Sequence, residues 1–372
     1  MREGWTYKKL GEVAKISSGK AIPSSDIIEN YSEDLYPCYG GNGLRGYVDH
    51  YSHDGLIPVV GRVGALCGNV HLPQGKFYAT EHALVVCLTT ADEPHYMKYL
   101  LSFLNLRQYA KGVAQPVLSA STLSKISISL PSLSEQQSIV AELDKINELI
   151  SLKKAQLSDL DSLAQSIFYD MFGDPIENEK GWEVKKLGEI STVKTGPFGS
   201  MLHKDDYISN GIPLVNPIHI KDYRIVADVN FTISSEKAKE LNNYILRRND
   251  VIFARRGDIG RCAVVSDVED GYLCGTGSLF VRFEHKVIPQ YIMYIIRSSS
   301  FIKELISKAK GATMLNLNST IIADLQIPLP PLSLQQDFAK RVELIEQQKA
   351  QISSTIKDLE TLLASRMQYW FD

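Results

Sequence analysis

Arginines are the first candidates for chemistry in this chain, because a guanidinium can bind a guanine edge or a phosphate through two parallel hydrogen bonds. The densest basic segment holds five of them within 15 residues: Arg247, Arg248, Arg255, Arg256 and Arg261. Arg255 follows an apolar run and precedes Gly257, which predicts a strand end beside a tight turn. Arg62, again two residues before a glycine, is its counterpart by motif. The alternative is that these arginines are solvated on a loop or paired with Asp250 and Asp258.

Small polar residues beside glycines form two further matched sets, and such residues let a backbone approach a phosphate closely. The sets are Ser17-Ser18-Gly19-Lys20 with Lys194-Thr195-Gly196 and the following Phe198-Gly199-Ser200, and Lys111-Gly112 with Lys310-Gly311, followed by Gln115 and Asn316 respectively. A glycine required only for a turn explains these sets equally well. The residues predicted to contact nucleic acid are Ser18, Lys20, Arg45, Arg62, His82, Lys111, Gln115, Lys194, Thr195, Ser200, Lys204, Arg255, Arg256, Arg261, Lys310 and Asn316.

Residues with the spacing of a catalytic or metal site are harder to find. Gly19-Lys20 resembles a phosphate-binding loop, but alanines at positions 14 and 21 stand where that motif needs glycine and a hydroxyl residue. Asn216-Pro217-Ile218-His219 resembles the Asn-Pro-Pro-Tyr motif of adenine methyltransferases, but it lacks the second proline and the aromatic residue. Asp174 with Glu183 and Lys185 could mimic a nuclease metal site, but Asp174 precedes a proline in a linker. We therefore expect no catalytic residue and no bound metal.

Bulk composition limits the class of protein. The 372 residues suffice for two or three domains, and a 44% hydrophobic content supports sizeable cores. The five cysteines include no Cys-x-x-Cys pair, which argues against a zinc site or a disulfide framework and fits a reducing compartment. No apolar run approaches the roughly 18 residues of a membrane helix, so we expect a cytoplasmic protein. The net charge of −3 counts against an isolated DNA binder, unless the positive charge is local or partner subunits supply part of the phosphate contact.

Internal repetition shows that the chain is a tandem duplication. Near the start, Gly4-Trp5-x-x-Lys8-Lys9-Leu10-Gly11-Glu12 recurs as Gly181-Trp182-x-x-Lys185-Lys186-Leu187-Gly188-Glu189, at an offset of 177 residues. Farther on, Ile128-x-Leu130-Pro131-x-Leu133-Ser134-x-Gln136-Gln137 recurs as Ile327-x-Leu329-Pro330-x-Leu332-Ser333-x-Gln335-Gln336, at an offset of 199 residues. The offset grows by 22, so the second variable segment is longer by that number of residues.

Each repeat divides into a β-rich part and a helical part. Short apolar runs bounded by Gly, Asn and Asp, such as Val251–Ala254, predict strands, and Pro94–Ala110 and Pro289–Ala309 predict short helices. We predict an α+β fold of two pseudo-repeated, β-rich α/β domains separated by two long helices. The predicted segments are a first domain at 1–127, a helical spacer at 128–175, a second domain at 176–326 and a second spacer at 327–372.

The two spacers predict a coiled coil. Ser134 and Ser333, which follow prolines, are the predicted N-caps, and apolar residues then recur at alternating spacings of four and three. These positions are Ile139, Leu143, Ile146, Ile150, Leu157, Leu160, Ala164 and Ile167 in the first spacer, and Phe338, Val342, Ile345, Ile352, Ile356, Leu359 and Leu363 in the second. Each seam contains one lysine, Lys153 or Lys349, and a buried polar residue can fix register. We expect the helices to pair with each other in antiparallel orientation; the alternative is that each packs only on its own domain.

This layout resembles the specificity subunit of type I restriction–modification enzymes over essentially the whole chain. The two repeated motifs carry the resemblance, together with residues 61–69 and 254–260, which are similar to that family's target-domain core. The resemblance implies two target-recognition domains, each reading one half of a split DNA site. It also implies helices that set the gap between the half-sites and dock methyltransferase subunits, and no catalysis by the chain itself.

The resemblance further implies partners and cofactors. The expected partners are double-stranded DNA, two methyltransferase subunits and, where the system cleaves, a restriction subunit that translocates DNA. S-adenosylmethionine would belong to the methyltransferase, and ATP and Mg²⁺ to the nuclease, so no cofactor is expected in this chain. Two readers on one spacer would gain affinity only at the spacing that the helices permit. The alternative function is a duplicated scaffold that binds only protein, or an enzyme with a divergent site.

Overall fold

A computed structural model describes residues 4–112, 115–198, 201–284, 287–309 and 316–372. The chain forms two compact units: unit 1 contains residues 1–155 and 353–372, and unit 2 contains residues 156–352. Each unit therefore combines one β-rich part with a portion of both long helices. The division of the chain into segments 1–127, 128–175, 176–326 and 327–372 remains a prediction from the sequence.

Unit 1 contains ten strands, three short helices and the start of a long helix within the described residues. In chain order these are β1 (Thr6–Lys9), α1 (Leu10–Val13), β2 (Ala14–Ser18), β3 (Tyr36–Gly40), β4 (Gly43–Val48), β5 (His53–Asp54), β6 (Val59–Gly61), β7 (Val70–His71), β8 (Lys76–Ala79), β9 (Ala83–Leu88), α2 (Pro94–Phe103), α3 (Ala120–Leu123), β10 (Ser127–Leu130) and α4 (Leu133–Phe172).

The second half of the chain follows a similar element order. It contains β11 (Glu183–Lys186), α5 (Leu187–Ile190), β12 (Ser191–Thr195), β13 (Tyr207–Ile208), β14 (Ile212–Val215), β15 (Ile220–Lys221), β16 (Arg224–Ile225), β17 (Thr232–Ile233), α6 (Ser235–Glu240), β18 (Val251–Ala254), β19 (Cys262–Val264), β20 (Leu273–Cys274), β21 (Ser278–Phe283), α7 (Pro289–Arg297), α8 (Ser299–Lys308), α9 (Ser319–Ala323), β22 (Gln326–Leu329) and α10 (Leu332–Phe371).

Sheet topology confirms the duplication. The first sheet has the order β2-β9-β6-β7 in unit 1 and β12-β21-β18-β19 in unit 2, with antiparallel neighbours throughout. A second sheet of each unit contains one parallel pair, β3 with β8 and β14 with β20. The ends of each β-rich part are joined by β1 with β10 and by β11 with β22. Unit 2 adds the hairpin β15–β16, which belongs to its longer variable segment.

The first sheet of each unit is covered on both faces, so its strands are apolar without alternation. In β9, Leu84 and Val86 contribute to a core with Tyr96 of α2, whereas Val85 contributes to a second core with Phe77 of β8. The central strand β18 of unit 2 divides its side chains between two cores in the same way. The strands predicted from apolar runs are therefore confirmed, and they form the middle layer of each unit.

The predicted short helices are confirmed, but each is interrupted. The first ends at Phe103, and Asn105 adopts a left-handed conformation (φ 43°) before the 3₁₀ turn Leu106–Tyr109. The second is broken at Ser298, whose side chain accepts a hydrogen bond from the backbone of Phe301 and so caps α8.

The predicted N-caps of the long helices are wrong by two residues. The helix α4 begins at Leu133, and the hydroxyl of Ser132 accepts a hydrogen bond from the backbone N–H of Glu135 at 3.3 Å. Ser134 lies inside the first turn, as does Ser333 in α10, which begins at Leu332. The first helical hydrogen bonds are accepted by the carbonyls of Ser132 and Pro331, from the backbone N–H groups of Gln136 and Gln335, so each helix begins directly after these two residues.

The antiparallel coiled coil is confirmed within each unit. In unit 1, the Glu142 carboxylate accepts hydrogen bonds from Arg366, and Lys154 pairs with Glu360 at 3.0 Å, so the numbers fall along α10 as they rise along α4. In unit 2, Lys349 of α10 donates to Asp161 of α4 at 2.8 Å. The seam residues predicted from the four–three spacing are buried or half-buried. Lys349 lies in the seam as predicted, and the Asp161 carboxylate compensates its charge.

The repeated helix-entry motif joins the helix to the β-rich part. The side-chain oxygen of Gln136 accepts a hydrogen bond at 2.9 Å from the backbone of Glu93, at the start of α2. Gln335 accepts the equivalent bond from Ile288, at the start of α7, at 3.0 Å. Both glutamines are buried. The motif therefore recurs because the same glutamine hydrogen bond attaches the long helix to the β-rich part in each repeat.

Candidate nucleic-acid interface

Several strand ends of unit 1 meet at one edge. Because β9 runs antiparallel between β2 and β6, its first residues adjoin the last residues of both neighbours: Leu84 pairs with Ser18, and Ala83 pairs with Gly61. The loop before β9 is held there by two backbone hydrogen bonds, from Lys20 to Ala79 (2.9 Å) and from Thr80 to Tyr39 (2.8 Å). We call residues 18–20, 40–45, 61–64 and 79–83 the basic edge of unit 1.

Unit 2 forms the same edge from equivalent segments. Ala254, at the end of β18, pairs with Ser278, at the start of β21, and the Gly196 N–H donates to the Ser278 carbonyl at 3.0 Å. The loop before β21 is again held from the second sheet, by a bond from Gly275 to Val215 at 2.9 Å. Residues 194–196, 215–217, 254–258 and 274–278 are the basic edge of unit 2.

Arg62 and Arg255 occupy equivalent positions in these edges. The backbone N–H of Arg62 donates to His82 at 2.9 Å, and its carbonyl accepts from Leu118 at 2.8 Å. The backbone of Arg255 makes the matching bonds with Gly277 (3.1 Å) and Leu317 (2.9 Å). The prediction of a strand end beside a tight turn is confirmed for both, since the glycine two residues later has a positive φ of 83° in unit 1 and 77° in unit 2.

The two guanidinium groups are anchored at different nitrogens. Arg255 is 9% exposed, and its Nε donates to the side-chain oxygen of Asn316 at 3.2 Å. Burial lowers the pKa of Arg255, and the neighbouring charge of Arg256 acts in the same direction. Arg62 instead donates from Nη1 to the backbone carbonyl of Glu81 at 3.2 Å, and its buried Nε has no partner among the described residues.

The nearby acids pair with other arginines. The Asp250 carboxylate accepts two hydrogen bonds from Arg282, at 2.8 and 2.6 Å. Asp258 pairs with Arg261 at 2.8 Å, and Arg261 also donates to the carbonyl of Pro217. The alternative of pairing with nearby acids thus holds for Arg261. Within the described part of the chain, neither Arg255 nor Arg256 pairs with a carboxylate.

The other candidates of unit 1 lie on or beside its basic edge. Ser18 and Lys20 are exposed at the end of β2, and Arg45 lies against Gly40, beside Thr80. His82 is exposed in the loop before β9, with its Nε2 3.3 Å from the Glu81 carboxylate.

Backbone hydrogen bonds connect the segments of Lys111 and Gln115 to the basic edge of unit 1. Lys111 and Val117 exchange two backbone hydrogen bonds, and the carbonyl of Pro116 accepts a bond from Gly64 at 3.1 Å. Lys111 and Gln115 are exposed. Of the seven candidates of unit 1, five therefore lie on its basic edge, and Lys111 and Gln115 lie on a segment that is bonded to the turn after Arg62.

In unit 2, the structure brings together most of the candidates that it describes. Lys194 and Thr195 are half-buried on β12, Arg256 is exposed, and the backbone of Asn316 forms a bridge with that of Arg256. Lys204 lies in a 3₁₀ turn with no described contact to the basic edge. Ser200 and Lys310 lie outside the described residues.

The glycines beside the polar residues have a packing role. A Cβ on Gly19 would lie 2.2 Å from the carbonyl oxygen of Ala79, and a Cβ on Gly196 would lie 1.9 Å from that of Gly275. Both distances are far below a normal contact, so the close approach of two backbones requires glycine here. This packing requirement accounts for both glycines without a phosphate.

Glu81 and Thr276 were not among the residues predicted to contact nucleic acid. They occupy matching positions in the loops before β9 and β21. Their backbones are equivalent, since Ala83 donates to Thr80 and Ser278 donates to Gly275, both at 3.0 Å. Their side chains differ completely. Both residues lie directly before a buried apolar strand, and this position in the sequence would have been enough to predict that they lie at the edge of the sheet.

Two of the sequence motifs that resemble catalytic or metal sites can be checked in the described residues. The His, Cys, Asp and Glu side chains of these described residues form no group of three or more that could hold a metal. His219 of the Asn216–His219 sequence is buried, and its Nδ1 accepts a hydrogen bond from the backbone of Asn216 at 3.1 Å, so this segment is a turn. No described helix has the length and apolarity needed to cross a membrane.

Comparison with known proteins gives a consistent result. The model of the family described as "Type I restriction modification DNA specificity domain" matches residues 2–161 and 179–361. The EcoprrI specificity subunit of Escherichia coli is 46% identical over 143 residues, which are 38% of this chain and 36% of that relative. The chain thus spans only about a third of that relative. The MjaIX specificity subunit of Methanocaldococcus jannaschii is 25% identical over 382 residues, 91% of this chain and 86% of that relative.

Solved structures share the fold. The S subunit of a type I restriction–modification system from M. genitalium has a TM-score of 0.58 at 16% identity, with coverage of 99% of this chain and 96% of that one. A chain from a structure on complex assembly of the type I system has a TM-score of 0.60 at 18% identity, with coverage of 99% and 97%.

Proposed function

The chain belongs to the family of type I restriction–modification DNA specificity domains, of which it carries two copies, and from this we propose that each unit reads one half of a bipartite double-stranded DNA sequence. Members of this family are specificity subunits, the DNA-recognition and non-catalytic components of type I systems. In this proposal the helices set the gap between the half-sites.

The observation that carries the proposal is the duplicated basic edge. The two units differ in most side chains, but in each an arginine makes the same pair of backbone hydrogen bonds and is followed two residues later by a glycine with a positive φ. Arginine can bind guanine or phosphate, and the surrounding lysines, serines and threonines suit phosphate contacts. A scaffold that binds only protein would not need an arginine with the same backbone hydrogen bonds in both units.

The long helices support docking of two methyltransferase subunits. Besides the buried seam, α4 exposes Leu149 and Leu152 in unit 1, at 41% and 58%. In unit 2, Leu163 of α4 and Leu344 of α10 are exposed at 48% and 61%. Leu149 and Leu152 lie three residues apart on one helix, so they form an exposed apolar pair that another protein could cover. Modification of an adenine needs a base extruded from the stack, and a separate catalytic subunit can do this once the flanking sequence is held.

Charge and chemistry divide between the subunits in this proposal. The chain has a net charge of −3, so part of the phosphate contact comes from its partners. It uses no cofactor of its own: S-adenosylmethionine binds the methyltransferase, and ATP with Mg²⁺ binds a restriction subunit in systems that cleave. Because the substrate is chromosomal DNA, we place the assembly in the cytoplasm.

The test is co-expression with the methyltransferase encoded beside this chain, in a host free of DNA methylation, followed by single-molecule mapping of modified bases. The expected result is N6-methyladenine in a two-part motif with a fixed gap. An unmodified genome, with the methyltransferase shown to be folded and bound, would contradict the proposal and favour the scaffold function.

A further inference from the structure

We infer that Arg255 reads a guanine in the half-site bound by unit 2, and that Asn316 is the positioning residue that orients it. This inference rests on the proposed function and adds to it a base and a pair of residues.

Arg255 is held by hydrogen bonds at its backbone and at its side-chain Nε. Its backbone is bonded on one side to Gly277 and on the other to Leu317, and the residue is 9% exposed. The Nε–H donates to Asn316 at 3.2 Å. Asn316 is itself held, because its backbone forms a bridge with that of Arg256. The orientation of the guanidinium is therefore restricted before any ligand arrives.

This anchoring leaves one edge of the guanidinium for a ligand. The hydrogen bond to Asn316 uses Nε, and the described residues offer no partner to Nη1 or Nη2. Those two nitrogens form the fork that binds O6 and N7 of guanine in the major groove. Adenine places an amino donor where guanine has O6, so the same fork rejects it.

The charge of Arg255 also calls for an acceptor from outside the unit. Asn316 is a neutral partner, and within the described residues no carboxylate pairs with Arg255. Burial and the adjacent Arg256 both disfavour the charged form. An electron-rich base edge relieves this cost, because hydrogen bonds to a charged donor are about twice as strong as neutral ones.

Rigidity distinguishes Arg255 from its neighbour. A side chain that is already immobilised loses little rotamer entropy on binding and tolerates little misalignment, which suits it to discriminate between bases. Arg256 is exposed and has no described partner for its side chain, which suits it to a phosphate. Arg256 is therefore the matched control for a basic residue that positions DNA without reading it.

The experiment uses the complex with its methyltransferase subunits and measures affinity for the mapped site and for its single-base variants in the half read by unit 2. Arg255→Lys, which keeps the charge but not the fork, should lose about 10- to 100-fold of the preference for guanine at one position. Asn316→Ala should reduce the preference at the same position, and so should Asn316→Asp, because a carboxylate at this place would pair with Arg255 and compensate its charge within the unit. Arg256→Ala should weaken all sequences alike and flatten the salt dependence of binding.

Two outcomes would overturn the inference. One is that Arg255→Lys leaves the guanine preference unchanged; the other is that Arg255→Lys and Asn316→Ala weaken every sequence equally, as a structural or phosphate role predicts. Unaltered discrimination in the half-site of unit 1 shows that each variant complex is folded and assembled. Failure of the proposed function would show itself differently, since the wild-type complex would then have no two-part motif.

Discussion

The two units hold an arginine on the same backbone frame but anchor its guanidinium from opposite ends. In unit 2, Nε is bonded to Asn316, and the terminal fork is left for a ligand. In unit 1, one hydrogen bond from Nη1 of Arg62 goes to the Glu81 carbonyl, and Nε is a buried donor without a described partner. The backbone frame was therefore retained after duplication, while the side chains around it changed.

The loops beside the two arginines differ in the same way. Thr80, Glu81 and His82 in unit 1 correspond to Gly275, Thr276 and Gly277 in unit 2, on equivalent backbone hydrogen bonds. One loop offers a carboxylate and an imidazole, the other a single hydroxyl. A constant frame that carries variable side chains is how one fold can read two unrelated half-sites.

The largest effect should come from exchanging the variable part of one unit. Replacement of residues 20–120 by the corresponding segment of another specificity subunit should change one half of the methylated motif completely. The other half and the gap should stay as they were, because unit 2 and both helices are untouched. Methylome mapping measures both halves at once. A change in both halves, or in neither, would contradict independent reading by the two units.

Alanine at the crowded glycines should have the next largest effect. Gly19→Ala and Gly196→Ala should each cost about 3 kcal/mol or more in the free energy of unfolding, since the new Cβ would overlap a carbonyl oxygen. Gly196→Ala should be the worse, at 1.9 Å against 2.2 Å.

The control for these variants is Gly64→Ala, which has a positive φ but no atom within 4 Å of the new Cβ. It should cost only about 1 kcal/mol. Denaturant unfolding of the full chain measures all three. Equal costs at Gly19 and Gly64 would show that the backbones at the edge of unit 1 can move apart.

The buried glutamines should give smaller and similar effects in the two units. Gln136→Leu and Gln335→Leu each leave the backbone N–H at the start of a short helix without its acceptor, at a cost of about 1–3 kcal/mol. The exposed neighbours Gln137→Leu and Gln336→Leu serve as controls and should be near neutral. Thermal unfolding measures all four variants. If the buried and exposed variants behaved alike, the glutamines would not form the joint between helix and β-rich part.

The smallest effect concerns the pH dependence of the helix pair. A hydrogen bond from Arg366, assisted by Trp370, lowers the pKa of Glu142 below its ordinary value of 4.5 in unit 1. In unit 2, burial alone would raise the pKa of Glu346, but hydrogen bonds from Arg224 and Lys349 outweigh it and lower the pKa. A lowered carboxyl pKa stabilises the folded state above the ordinary value, and this contribution is lost as the pH falls through the lowered value.

Glu142→Gln should therefore reduce stability at neutral pH slightly and make it less sensitive to acidification below pH 4.5. Unfolding measured between neutral pH and the acid range gives both quantities. Glu148→Gln, an exposed carboxylate on the same helix, controls for the loss of a charge. A pH profile unchanged by Glu142→Gln would mean that the pair with Arg366 contributes nothing to folding.

Sequence alone determined the plan of this protein: two repeats, each a β-rich part followed by a long helix, with the helices paired through a predicted seam. These features can be read from the sequence because repetition and heptad spacing are periodic along the chain. A period can be recognised without knowing which distant residues come into contact. The equivalence of Arg62 and Arg255 was also readable, because each lies between a buried apolar run and a glycine.

Tertiary structure decided how the candidate residues meet and what each glycine and glutamine does. The loop at Glu81 reaches Arg62 only because β9 runs between β2 and β6, and Asn316 reaches Arg255 across a separation of 61 residues. Gly19 lies against the carbonyl oxygen of Ala79, a contact that no local pattern records. Such contacts depend on which strands become neighbours, and strand pairing is decided by burial of the whole sheet rather than by the residues at its edge.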